Sequence, residues 1–131
     1  MKELIKTLNE TKTKAERRVE QPDNDVFYNA SRKTYLTIID ITIESANELY
    51  VEIEALNRSL RPDDIARHSK SVSTKVDDIV DALEMYHVSY SRDAISKNTV
   101  KNELELKELT ELKNLASKLS DAKDELSSPK K

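Results

Sequence analysis

Apolar residues along this chain recur every three or four positions, in long unbroken runs. The clearest run is Ile65, Ser69, Val72, Val76, Ile79, Leu83, Tyr86 and Tyr90, whose steps alternate between four and three. That alternation is the stripe that one side of an α-helix offers to a neighbour. A second stripe passes through Leu36, Ile39, Ile43, Ala46, Tyr50 and Ile53, with Tyr28, Leu49 and Leu56 widening it. Its letters favour a strand, because TYLTIIDITIE (Thr34 to Glu44) is crowded with β-branched residues. The strand reading fails on period. It would place Leu36, Ile38, Asp40 and Thr42 on one face and Tyr35, Thr37, Ile39, Ile41 and Ile43 on the other, and neither face is cleanly polar. The pattern also continues through NELYVEIEALN without a turn signal, so a helix is predicted.

Four helices follow from this reading. The first, Lys2 to Glu20, places Ile5, Leu8, Ala15 and Val19 on one face, with Lys12 interrupting it. The second runs from about Asn24 to Asn57 and is started by the PDND cluster, Pro22 to Asp25. The third begins after SLRP, with Pro62 in its first turn and Asp63 and Asp64 at the positive end of the helix dipole. SRDAISKNT, Ser91 to Thr99, reads as the next break. The fourth, Val100 to Leu126, gathers Leu109, Leu112, Leu115, Ala116, Leu119, Ala122 and Leu126 on one broad face. Short connections between such helices predict an all-α fold, an up-down-up-down antiparallel four-helix bundle over residues 1–127, with 128–131 as a disordered tail. In the alternative, the first helix is a detachable arm that docks on a neighbouring subunit. The two arrangements differ in where Ile5 and Leu8 are buried.

Composition narrows the function. A chain of 131 residues fits one domain with a real core. It contains no Gly, so phosphate-cradling loops that need close backbone approach or positive φ cannot be written in it. It contains no Cys, which removes disulfides, thiolate metal ligands and a thiol nucleophile. The opening MKELIKTLNETKTK lacks the apolar stretch of a secretory signal, and no run reaches membrane-spanning length. The expectation is a soluble protein made in the cytoplasm, with no membrane span. A net charge of −3 argues against nucleic-acid binding by the surface as a whole.

Candidate chemistry is sparse. Glu84 and His87 have the Glu-x-x-His spacing of carboxylate-bridged metal bundles, but the second such motif is absent. Arg61 to His68, RPDDIARH, resembles the Arg-x(4–6)-His motif of the HEPN ribonucleases, with Pro62 where a polar residue usually follows the Arg. That resemblance implies charge stabilisation by Arg61 and proton transfer by His68. Against it stands the simpler reading of a loop arginine and a histidine beside the seam. No catalytic, cofactor-binding or metal-ligating residue is assigned, and the chain is expected not to be an enzyme.

The interaction candidates are better marked. Tyr28 and Tyr35, with Phe27 beside them, are amphipathic anchors near the start of the second helix. Glu44, Glu48 and Glu52 form an acidic row one turn apart. The first segment carries six Lys/Arg against three Glu over Lys2–Val19, and Lys14 and Arg18 share a face. Its bases are expected to spread over several faces. They suit either a phosphate backbone or the acidic second helix of a neighbour, since residues 24–57 hold six acids against two bases.

The whole profile is Gly-free, Cys-free and Lys/Glu-rich, with seams such as IVDALEMY and LKELTELKNLASKL. It resembles the small all-helical virion proteins of archaeal spindle-shaped viruses, such as the Acidianus two-tailed virus. The resemblance covers the whole chain and rests on size, composition and helix pattern. It implies a non-enzymatic structural component of a virus particle from a hot habitat, made in the host cytoplasm, with itself or other virion proteins as partners. The charge-rich composition agrees with heat exposure. A small helical adaptor or inhibitor of a host protein is the alternative, sharing the same helix-face physics.

Overall fold

The computed structural model describes residues 2–19, 21, 26–97 and 103–129; within these, side chains at 27, 28, 31, 35, 86–97, 103–106, 108 and 109 are not described. The chain is all-helical there: α1 Lys2–Val19, α2 Val26–Arg58, α3 Pro62–Lys97, α4 Glu103–Asp121 and the single turn α5 Lys123–Leu126. The four main helices form a bundle in which α1 packs on α2, α2 on α3, and α3 on α4 and α5. At 1.5 Å per residue, α2 and α3 are rods of about 50 Å, roughly twice the length of α1 and α4. The α2–α3 hairpin is therefore the spine, and the shorter helices cover part of it.

The β-branched run Thr34 to Glu44 is helix throughout. Its threonines are accommodated because a helical Thr hydroxyl can donate to the carbonyl four residues back. Thr34 donates to the Ala30 carbonyl, Thr37 to Lys33 and Thr42 to Ile38, the last at 2.8 Å. Thr42 can therefore sit almost fully buried without an orphaned hydroxyl. No buried side-chain nitrogen or oxygen among the described residues lacks a partner.

The α2–α3 turn closes without Gly. Ser59 donates its amide to the Leu56 carbonyl at 3.2 Å and its hydroxyl to Ala55 at 2.8 Å, which satisfies carbonyls left open at the end of α2. The Arg61 carbonyl then accepts the Ile65 amide, so Arg61 is the residue on which α3 starts. Pro62 occupies the first helical position, where its missing N–H costs nothing.

The core is a column of buried aliphatics: Leu4 and Leu8 from α1, Ile39, Ala46, Leu49 and Leu56 from α2, Val72, Val76, Ile79, Val80 and Leu83 from α3, and Leu112, Ala116 and Leu119 from α4. Leu8 is fully covered within the single chain, so α1 docks on its own bundle and not on a neighbour. Ile5 packs against the same column while partly exposed.

Three details differ from the sequence reading. The buried line of α2 runs through Ile39, Thr42, Ala46, Leu49 and Leu56, while Leu36, Ile43, Tyr50 and Ile53 are only half-buried. The stripe is rotated because α2 is covered by α1 on one flank and α3 on the other, which a single seam does not anticipate. Second, α3 passes through most of the expected Ser91–Thr99 break and ends at Lys97. SRDAISK contains neither Gly nor Pro to stop a helix; residues 98–102 lie outside the described set. Third, the last helix is interrupted at Ala122, with α5 following at once, as the Ala122 amide bonds Lys118 and the Leu126 amide bonds Ala122. Beyond it, the Ser69 hydroxyl donates to the Ser127 carbonyl, tying the end of α5 to α3.

Candidate interaction surface

The outward face of α2 carries Asp40, Glu44, Asn47, Glu48 and Val51. They line an open groove of about 700 Å³, flanked by Lys12 of α1 and by Lys75 of α3. Val51, which lines this groove, is 60% exposed, so apolar area is interleaved with carboxylates; Ile41, outside the groove on α2, is 58% exposed. The acidic row predicted in α2 is thus real, but its members do different things. Glu52 meets the His68 Nδ1 at 2.7 Å, and Glu48 meets the Lys75 Nζ at 3.5 Å. Both contacts tie α2 to α3. Glu44 is exposed and forms no ion pair among the described residues.

On the other flank, Lys12 reaches Asp40 at 2.6 Å. The lysine that interrupts the apolar face of α1 is therefore the residue that ties α1 to α2. The Asp40 carboxylate, by hydrogen bond first and by charge second, holds the Lys12 ammonium above its ordinary range. Nearly three turns further along α2, the Tyr50 hydroxyl is pushed up by its hydrogen bond to Glu54, with the Glu54 charge adding to the effect.

The expected scatter of bases around α1 is partly corrected. Packing turns Leu4 and Leu8 inward, and the outward side then gathers Lys6, Asn9, Glu10, Thr13, Lys14 and Arg17 along a shallow groove. It carries three bases against one acid. Lys14 is exposed, whereas Arg18 is half-buried and engaged, so these two do not form one free basic patch. The aromatic candidates Phe27, Tyr28 and Tyr35 are placed on the first turns of α2, and their side chains lie outside the described residues.

The residues considered for chemistry are dispersed. His68 is half-buried against Glu52, and Arg61 is an exposed loop residue before α3. Apart from these candidates, Asp77 of α3 binds Lys123 at 3.0 Å and so holds α5 to α3. Glu84 is exposed, and the His87 side chain lies outside the described residues. Among the described residues, no three His, Asp or Glu side chains converge as a metal site, and no helix is long and apolar enough to cross a membrane. The surface pairs that the sequence does not disclose are the cross-helix ones, Lys12–Asp40, Glu48–Lys75, Glu52–His68 and Asp77–Lys123. No family model matches the chain, and neither the curated proteins nor the solved structures compared with it provide a match.

Proposed function

We propose that this protein is a non-enzymatic structural and assembly component, a constituent of a virus particle that works through helix-face contacts. The observation that carries the reading is the outward face of α2, where exposed Val51 stands among Asp40, Glu44 and Glu48. Mixed apolar and charged helix faces of this kind suit contact with another helix. The stiff α2–α3 hairpin would carry such a face without bending. The virion setting rests on the Gly-free, Cys-free, charge-rich helical profile, and places the protein in the particle after synthesis in the host cytoplasm.

The test is the mass and form of the purified protein. Light scattering and electron microscopy across salt and pH are expected to show species larger than one chain. A strict monomer under every condition would overturn the reading.

One observation favours a second reading. The Glu52 carboxylate beside His68 is an arrangement that orients an imidazole for proton transfer, as a ribonuclease resembling the HEPN type would need. RNase activity lost on His68→Ala with the fold intact would promote it. The same pair also braces α2 against α3, and that bracing explains it without chemistry.

A further inference from the structure

We propose that the α1–α2 side of the bundle pairs with the same side of a second copy, around a two-fold axis parallel to the helices. The proposal deepens the assembly reading, on which it rests, by naming the partner and the faces.

The argument begins with charge. The outward groove of α1 is lined by Lys6, Lys14 and Arg17 against Glu10. The outward groove of α2 is lined by Asp40, Glu44, Glu48 and Glu52 against Lys12 and Lys75. One is net basic and the other net acidic. α1 and α2 are neighbours in the bundle, and Lys12 of α1 lines the acidic groove of α2, so the basic and acidic faces adjoin along the α1–α2 side.

Symmetry then supplies the register. A two-fold axis parallel to the helices sets α1 of one copy opposite α2 of the other, and the reverse, so both complementary contacts form at once. Such a rotation keeps every residue at its own height along the bundle, and the Lys12–Asp40 contact calibrates those heights. Lys6 lies six residues before Lys12 on α1, which in the antiparallel α2 is the height of position 46. Lys6 of one copy therefore stands between Glu44 and Glu48 of the other. Lys14 falls at the height of position 38, about 3 Å from the level of Asp40. A two-fold axis across the helices would set α1 against α1 and oppose like charges.

Glu44 has no ion pair among the described residues of the single chain, and Val51, in the same groove, leaves apolar surface uncovered. The pairing gives each of these a partner. Two helix faces of this length bury on the order of 1,000 Å² in total, at the lower bound for a specific interface. The dimer is therefore expected to be reversible and sensitive to salt.

Sedimentation of the full chain at about 0.01 M and about 1 M salt, where screening shortens from about 30 to about 3 Å, reads the outcome. Wild type is expected to be dimeric at low salt and to dissociate at high salt. Lys6→Glu with Lys14→Glu makes both faces acidic; Glu44→Lys with Glu48→Lys makes both basic. Each variant alone is expected to be monomeric, with dimerisation weakened about tenfold or more. An equimolar mixture of the two is expected to restore the dimer, which damage to folding could not do. Oligomers that persist unchanged in both variants would overturn this pairing and leave the assembly reading standing. A wild-type monomer at both salts and at high protein concentration would overturn both.

Discussion

Leu8 tests whether the first helix belongs to its own bundle. It is fully covered, and Leu4 is its only companion from α1 in the buried core. Leu8→Ala removes three carbons from that site, worth about 2.4 kcal/mol at about 0.8 kcal/mol each. The cavity adds to this if the neighbours do not collapse, giving about 3–4 kcal/mol in all. The remaining contacts of α1 are half-buried or exposed, including Lys12–Asp40, so this loss removes a large part of what holds the helix. The expected result has two parts. Urea unfolding of Leu8→Ala shifts to lower midpoint, and the amides of α1 exchange faster than those of α3, because α1 opens before the spine does. Leu60→Ala is the control, since Leu60 is 92% exposed and its loss should cost nearly nothing. A Leu8→Ala protein within about 0.5 kcal/mol of wild type, a change typical of surface sites, would refute the reasoning. The first helix would then be the detachable arm.

Three further outcomes follow from the cross-helix contacts. Ser69→Ala removes the hydroxyl bonded to the Ser127 carbonyl and should cost about 0.5–1.5 kcal/mol, read by urea unfolding, with faster amide exchange confined to α5 and the end of α4. Glu52→Ala should destabilise by about 1 kcal/mol, and a double-mutant cycle with His68→Ala should show the two effects to be non-additive; additive effects would mean that the contact contributes nothing. Raising pH should weaken the fold from about pH 10 upward. Lys12 and Tyr50 both have folded-state pKa values above their ordinary ones, so their contribution is full below the unfolded values and is lost as pH rises through the folded ones. Lys12→Met should reduce that alkaline loss, measured by thermal unfolding at neutral and alkaline pH.

Much of the architecture was legible in the order of apolar residues. The regular seam of α3 predicted Val72, Val76, Ile79 and Leu83, all buried, and the β-branched stretch of α2 was correctly a helix because period outweighs propensity. What misled was anything that depended on how many neighbours a helix has. Thr42, absent from the predicted stripe, lies at the centre of the buried face of α2, and Ile43 and Tyr50 are only half-buried, because two flanking helices bury a broader and rotated arc. The acidic row and the basic first segment were both visible as charge. Which of their members are free was not, since Lys12, Glu48 and Glu52 are engaged by residues distant in sequence.

By itself, then, the sequence determined that this protein is helical, where its spine lies, and which loop and redox chemistry it lacks, because periodicity and missing residue types act locally. Only the tertiary structure decided that α1 docks in cis, how α2 is rotated, and that Lys12 meets Asp40 across the two helices. Those depend on the angle and height at which rigid rods meet. That is set by the summed packing of all the helices at once, and no single stretch of chain encodes it.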